Sequence, residues 1–103
     1  IIISGGENVS SREVEDKLVA HPDIAAVAVV GAPDPRWGEL VCAFVVLRPG
    51  ADVTVDELLA FGRSTIGGFQ QPRRLVLVDQ LPRNGSGKVL KHELRAQLAG
   101  VSP

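Results

Sequence analysis

Two long and almost wholly apolar stretches dominate the pattern of hydrophobic and polar positions along the chain. They are DIAAVAVVGAP at residues 23–33 and LVCAFVVL at residues 40–47, and both are rich in β-branched residues. Continuous apolar runs of this length are typical of strands that are buried on both faces of a sheet. The polar segment DPRWGE between them predicts a turn. Two shorter apolar runs, III at residues 1–3 and RLVLVD at residues 74–79, predict further strands.

Helices are predicted between these strands by their start signals. Ser10 and Glu13 have the spacing of a capping box, which predicts a helix over about residues 11–20. Thr54 and Glu57 repeat the signal and predict a helix that runs to about residue 64. A third, amphipathic helix is predicted over residues 89–99. The pattern therefore predicts an α+β fold, a small mixed β-sheet with about three main strands that is covered by helices.

Size and composition indicate one ordinary globular domain. The chain has 103 residues, of which 45% are hydrophobic and 22% charged. Its one cysteine, Cys42, lies in an apolar run, so we expect a buried thiol, no disulfide or metal framework, and a reducing cytoplasm as the simplest compartment. No apolar run approaches the ~20 residues that a membrane span needs. Because the chain opens on Ile1 rather than on methionine, we expect it to be a piece of a longer protein or a chain whose start was lost.

Charge is distributed unevenly along the chain. Residues 1–71 hold five Lys/Arg and ten Asp/Glu, whereas residues 72–103 hold six Lys/Arg and two Asp/Glu, for a total of −1. The basic C-terminal segment suits phosphate groups, and a solvated helix face explains the same charges. A nucleic-acid surface is disfavoured because the chain has four aromatic residues and none after Phe69.

Candidate chemistry centres on Lys88 in PRNGSGKVLKHEL, residues 82–94. Glycine and serine around this lysine predict a mobile polar loop that directs the side chain outward. A nucleotide-binding P-loop is excluded, because Val89 follows the lysine where a hydroxyl is required and Pro82 occupies the position of the first glycine. Two interpretations stay open from the residues alone, an exposed loop lysine and a lysine that meets an anion.

Two other features have similarly open interpretations. The pair Gly5–Gly6 allows either a tight bend or the close approach of a ligand to the backbone. Trp37, the single tryptophan, stands in a polar turn, where it either packs on the edge of the domain or contacts a ligand.

Three segments, taken together and in order, resemble the C-terminal domain of the adenylate-forming superfamily. They are IIISGGENVSSREVE, HPDIAAVAVVGAPDPRWGELVCAFVVLRPGA and GGFQQPRRLVLVDQLPRNGSGKVLKHELR. The superfamily includes acyl-CoA synthetases, adenylation domains of peptide synthetases and luciferases, and RWGE with AFVVLRPGA is most similar to the acid–CoA ligase branch. The resemblance implies that residues 1–103 are the mobile lid domain of an ATP-dependent, fatty-acyl-CoA-synthetase-like ligase. The large N-terminal domain is then missing, and we expect the isolated lid to be inactive.

The resemblance also implies a catalytic role for Lys88, which matches the lysine of the family's P-R-x-x-x-G-K loop. Its ammonium would stabilise negative charge while a carboxylate attacks the α-phosphate of ATP. Ser86 and Gly87 would support the loop that carries the lysine into the site in one lid orientation.

A second set of residues is assigned by resemblance to the path of CoA. Its members are Gly5, Gly6, Trp37, Phe69 and Arg73. The two glycines would flank the pantetheine tunnel, and the other three would lie near CoA. The segment FQQPRR departs from the family here, because Gln70 replaces a common lysine.

The resemblance implies ATP and CoA as substrates beside a carboxylic acid, with Mg²⁺ in the missing N-terminal domain. That domain would be the main partner, with neither nucleic acid nor a membrane span involved. A lysine acyltransferase is a further expected partner, because acylation would remove the charge of Lys88. Two alternatives stay open: an adenylation-domain lid that serves a carrier-protein thiol, and a non-catalytic binding module.

Overall fold

The computed structural model describes the backbone of residues 1–101 and the side chains of that range other than those of residues 69 and 99–101. Five strands and three helices follow one another, with a short 3₁₀ turn at Gly68–Gln70. In chain order they are β1 (Ile2–Ser4), β2 (Glu7–Val9), α1 (Ser11–Leu18), β3 (Ile24–Asp34), β4 (Gly38–Leu47), α2 (Val55–Thr65), β5 (Arg74–Leu77) and α3 (Lys91–Val101). The predicted α+β class is confirmed.

The sheet is built around β4. This strand pairs antiparallel with β3 from Ile24↔Leu47 to Asp34↔Gly38. On its other side it pairs in parallel with β5 over residues 42–45, and it meets β1 at Gly38. Strand β2 pairs antiparallel with β1. The sheet is therefore mixed, as predicted, and the two short strands β1 and β2 extend it beyond the three main ones.

Both faces of the β3–β4 pair are buried, which confirms the interpretation of the two apolar stretches. Alternate residues of the pair face opposite sides, as strand geometry requires. One side packs against α1 and α2 in a core that includes Val14, Leu18, Val29, Val41, Ala43, Val45 and Leu58. The other packs against α3 in a core that includes Ala28, Val30, Cys42, Phe44, Leu94 and Leu98.

Cys42 is fully buried in the second core, as expected from its apolar neighbours. Burial raises the pKa of its thiol to about 11, although the charge of Arg74 opposes the shift. The thiol is therefore protonated at neutral pH and acts as a small apolar side chain.

The ends of the helices follow the predicted signals with local differences. The Thr54–Glu57 capping box is complete, with both reciprocal bonds present. At α1 the Ser10 hydroxyl accepts the amide of Glu13 at 3.3 Å, but the Glu13 carboxylate lies 3.5 Å from the side-chain amide of Gln70. Helix α3 begins at Lys91 rather than at residue 89, because Val89 pairs with Arg83 in an isolated bridge. None of the helices within the described residues has the length and apolarity that a membrane crossing requires.

One carboxylate ties the two helical layers to the sheet. Glu15 of α1 accepts the backbone N–H of Val29 in β3 at 2.8 Å with Oε2. The same oxygen lies 2.9 Å from the ammonium of Lys91, at the start of α3, and that ammonium also reaches the Ser11 hydroxyl at 3.3 Å. Since α1 and α3 cover opposite faces of the sheet, Glu15 fixes both helices relative to β3.

We expect Glu15→Ala to lower the free energy of unfolding by about 1–3 kcal/mol, because a partly buried amide loses its acceptor. Glu15→Gln should lower it by less, about 1 kcal/mol, because the amide oxygen still accepts from Val29 and only a partly buried ion pair is lost. Urea denaturation measures both values, and Asp16→Ala, which removes an exposed neighbouring carboxylate, is the control. Equal losses for the two Glu15 variants would contradict the role given to the Val29 bond.

Candidate functional site

The turn between β3 and β4 holds Trp37 at one end of the sheet. A carboxylate oxygen of Asp34, Oδ2, accepts the backbone N–H of Arg36 at 2.9 Å and that of Trp37 at 2.8 Å. Such a side-chain acceptor fixes a tight turn without contacts from the core. Trp37 is 37% exposed, so the turn presents the indole at the surface.

Gly5, in the turn between β1 and β2, lies directly against the indole. Its N–H donates to the carbonyl oxygen of Trp37 at 2.9 Å. A Cβ added at Gly5 would lie 2.8 Å from Cε3 of the ring, and the φ of +59° is itself unfavourable for any other residue. Gly6 has no atom within 4 Å of the position of its Cβ. The structure thus brings Gly5 to Trp37, whereas Gly6 lies in the open part of the same turn.

Two guanidinium groups flank the indole. The Cζ atom of Arg36 is 5.5 Å from the ring centroid and that of Arg73 is 5.4 Å away, both within cation–π range. The backbone of Arg73 is anchored, since its N–H donates to the carbonyl of Val41 at 2.9 Å. We call Gly5, Arg36, Trp37 and Arg73 the Trp37 cluster. A partly exposed indole beside two guanidinium groups suits a ligand with a ring or apolar arm and phosphates.

Arg36 was not among the residues that the sequence predicted for this site. Its place directly before Trp37 in RWGE could have pointed to it. Only the fold, however, shows that Arg36 and Arg73 contact the same ring.

The predicted contribution of the GGFQQP segment is only partly visible. Phe69 belongs by its backbone to the 3₁₀ turn, and its side chain lies outside the described part of the structure. The Gln70 side chain lies toward the Glu13 carboxylate, and the Gln71 side-chain amide donates to the carbonyl of Gly68 at 3.1 Å. Neither glutamine brings a positive charge to the Trp37 cluster.

Lys88 lies in a short hairpin that hydrogen bonds close, within the segment for which the sequence predicted a loop. Arg83 and Val89 form an antiparallel bridge, and the N–H of Leu90 donates to the carbonyl of Pro82 at 2.8 Å. We call residues 82–90 the Lys88 hairpin. The glycine and serine residues of this segment form a turn with internal hydrogen bonds. The predicted mobility of this segment stays a prediction.

Ser86 and Gly87 have specific places in the hairpin. The Ser86 hydroxyl donates to the side-chain oxygen of Asn84 at 2.8 Å. Gly87 has a φ of +86°, which turns the chain toward Lys88, and its carbonyl accepts from Nη1 of Arg83 at 3.0 Å. Sequence reasoning did not assign roles to Asn84 and Arg83, although Asn is among the residues that close turns with their own side chains.

The ammonium group of Lys88 is available to an anion. The residue is exposed, and within the described residues its side chain forms no ion pair. It lines an open hollow of about 600 Å³ together with Lys91, His92 and Arg95. Lys91 is held by Glu15, so Lys88 and Arg95 are the cations of this hollow without a carboxylate partner among the described side chains.

The Trp37 cluster and the Lys88 hairpin are separate regions. No hydrogen bond or ring contact between described residues joins them. Arg83, at the base of the hairpin, lines a hollow with Ala26 and Val46. Val46 therefore marks the place along β4 that the base of the hairpin adjoins, whereas Gly38 marks the Trp37 end of the same strand. These two residues are eight positions apart, or about 27 Å at ~3.4 Å per residue.

The described residues contain no group of three or more His, Cys, Asp or Glu side chains that could hold a metal ion.

Curated relatives of the chain extend well beyond it. The feruloyl-CoA synthase of an Amycolatopsis species is 48% identical over 95 residues, which cover 92% of this chain and 19% of that protein. The fatty acid–[acyl-carrier-protein] ligase ScoC of Streptomyces coeruleorubidus is 46% identical over 101 residues, or 98% of this chain and 20% of that protein. The chain thus spans about a fifth of the length of these relatives.

The fold agrees with these relationships. The crystal structure of an acyl-CoA synthetase from Brucella canis superposes with a TM-score of 0.91 at 34% identity, covering 100% of this chain and 20% of that one. The family model for the AMP-binding enzyme C-terminal domain matches residues 13–88, which include the Trp37 turn, Arg73 and Lys88. The resemblance given by the sequence motifs is thereby confirmed, and the chain belongs to the family of AMP-binding enzyme C-terminal domains.

Proposed function

We propose that residues 1–103 act as the lid domain of an AMP-forming carboxylic acid–CoA ligase whose large domain binds ATP and the acid. The observation that carries the proposal is the exposed ammonium of Lys88, unpaired among the described residues and mounted on a hydrogen-bonded hairpin. A cation whose backbone is fixed in advance suits the stabilisation of charge that develops on a bound substrate. The names of the feruloyl-CoA synthase and the Brucella acyl-CoA synthetase support this reaction class.

Lys88 is the catalytic residue of the first half-reaction in this proposal. A carboxylate oxygen forms a bond to the α-phosphorus of ATP, while the bond from that phosphorus to the leaving pyrophosphate oxygen breaks. Negative charge concentrates on the oxygens around the α-phosphorus as the two anions approach. The Lys88 ammonium offsets that charge, and a positioned donor of this kind contributes about 10²–10³ to the rate.

The Trp37 cluster serves the second half-reaction. The sulfur of CoA attacks the acyl carbonyl carbon, the bond from that carbon to the AMP oxygen breaks, and the thiol proton passes to solvent. Arg36 and Arg73 bind the nucleotide phosphates of CoA, and Trp37 offers its ring face. Gly5 and Gly6 leave room for the pantetheine arm, and Phe69 stays assigned to CoA by its place in the motif.

Because the Trp37 cluster and Lys88 lie in separate regions, we infer that the lid turns between the two half-reactions.

The remaining components belong to the rest of the enzyme. We assign Mg²⁺, ATP and the acid pocket to the large domain, since the described residues of the lid hold no candidate metal site. That domain is the principal partner of this chain. We also infer a reducing compartment such as the cytoplasm from the lone buried Cys42. A lysine acyltransferase that modifies Lys88 would silence the first half-reaction by removing its charge.

A carrier-protein thiol is the second candidate acceptor, and the name of ScoC supports it. Both acceptors present a pantetheine arm, but only free CoA carries adenosine phosphates. Two guanidinium groups beside an exposed indole therefore favour CoA.

We expect Lys88→Ala in the full-length enzyme to slow acyl-adenylate formation by about 10²–10³, because the developing charge loses its cation. Pyrophosphate release is measured with whichever of ferulate, benzoate, octanoate or acetate the wild-type enzyme activates fastest. Thioester formation from preformed acyl-adenylate and CoA should keep its rate. Lys17→Ala removes an exposed lysine of α1 and serves as control. Equal slowing of both half-reactions would contradict the assignment.

We expect Arg73→Ala and Arg36→Ala each to raise the KM for CoA about tenfold or more, because a charge-assisted hydrogen bond contributes about 1.5–3 kcal/mol. The KM for pantetheine, which lacks the nucleotide, should not change. Arg63→Ala, on the exposed side of α2, is the control. A matching rise for pantetheine would show that the arginines act on the fold rather than on phosphate.

We expect Gly5→Ala to displace the indole of Trp37, because the new methyl carbon would overlap the ring. The emission of Trp37 should shift in the 103-residue domain, where it is the single tryptophan. In the full-length enzyme, thioester formation should slow while adenylate formation is retained. For the emission readout Gly6→Ala is the matched control, since its φ of +83° is also positive but no atom lies within 4 Å of the added Cβ. The same emission shift in both variants would refute the direct contact.

A further inference from the structure

We propose that Asn84 is a positioning residue for Lys88. The proposal rests on the function assigned above to the ammonium of Lys88, and it identifies the group that holds the lysine's backbone in place. Asn84 does not touch substrate in this account. It acts through the hydrogen bonds that its carboxamide accepts from the residues on either side of Gly87.

Three donors converge on one oxygen of Asn84. Its Oδ1 atom accepts the backbone N–H of Ser86 at 3.0 Å, the hydroxyl of Ser86 at 2.8 Å and the backbone N–H of Lys88 at 3.0 Å. The last bond fixes the nitrogen next to the Cα atom from which the catalytic side chain projects. The side chain of Asn84 therefore positions the backbone of Lys88, which lies in an exposed turn without contacts to the core.

Backbone bonds form an outer frame that does not depend on the Asn84 side chain. The N–H of Asn84 donates to the carbonyl of Lys88 and the N–H of Gly87 donates to the carbonyl of Asn84, each at 3.0 Å. Arg83 and Val89 form the bridge at the base. Removal of the carboxamide thus leaves the hairpin closed but frees its tip, so its effect on catalysis is separable from unfolding.

The tip needs such a device because of its composition. Gly85, Ser86 and Gly87 are exposed and have no core side chains to restrict them. Catalytic rates depend strongly on geometry, and a displacement of a catalytic group by about 1 Å can reduce a rate about 10²-fold. An amide oxygen is also a neutral acceptor. A carboxylate in its place would accept the same bonds but would put a negative charge beside the Lys88 cation and the anionic substrates.

The test compares Asn84→Ala with Lys88→Ala and wild type in the full-length enzyme, with the acid chosen above. We expect Asn84→Ala to slow acyl-adenylate formation by about 10- to 100-fold through kcat, with the KM for ATP and the acid within about twofold. Thioester formation from preformed acyl-adenylate should be unchanged, as should the melting temperature. Ser86→Ala, which removes one of the three donors, should give a smaller loss. Gln97→Ala, exposed on α3, is the neutral control.

Amide hydrogen exchange supplies a readout that is independent of rate. The Ser86 and Lys88 amides should lose protection in Asn84→Ala and keep it in Asn84→Asp, which restores the acceptor. Protected amides in Asn84→Ala, or unprotected ones in Asn84→Asp, would overturn the assignment of Oδ1.

The kinetic outcomes separate this inference from the function on which it rests. A normal adenylation rate in Lys88→Ala would overturn the proposed function itself. A large loss in Lys88→Ala with none in Asn84→Ala would overturn only the role of Asn84. Equal slowing of both half-reactions by Asn84→Ala, or a fall in melting temperature, would reduce Asn84 to a structural residue.

Discussion

The β3–β4 ladder is the constraint on which the rest of the domain depends. The central residues of its two strands are buried on both faces and alternate between two cores, so a slip by one position would exchange the cores. The ladder fixes where the helices pack, where β5 joins in parallel and where the Trp37 turn lies. A long ladder of this kind suits the proposed function, in which the domain turns as one body against a larger domain.

Both functional regions use the same local device on this scaffold. A short polar side chain accepts successive backbone N–H groups and so closes a turn that no core residue reaches: Asp34 does this before Trp37, and Asn84 does it before Lys88. The difference in charge fits the two sites. Asp34 lies beside two guanidinium groups, whereas a neutral amide lies beside Lys88, whose positive charge the proposed function requires.

Sequence reasoning predicted the three main strands, all three helices and the buried state of Cys42, because apolar runs and capping residues are local signals. It did not predict β2, since Glu7–Val9 has one buried residue and no apolar run. It predicted a mobile loop around Lys88, because glycine and serine permit mobility, and only the fold reveals the hydrogen bonds that Asn84 accepts within this segment. Arg36 was missed for a related reason: the meeting of residues 36 and 73 is a long-range event that no local pattern encodes.

The position of Glu15 has a consequence for the domain's behaviour among other molecules. Strand β3 has a paired neighbour on one side only, and an unpaired strand edge can recruit a strand from another chain. The Glu15 carboxylate accepts a hydrogen bond from the outward N–H of Val29, near the middle of that edge, and it also pairs with Lys91. In the proposed lid domain, one backbone donor of this open flank is thereby already paired, which disfavours the addition of a strand from another molecule at that position.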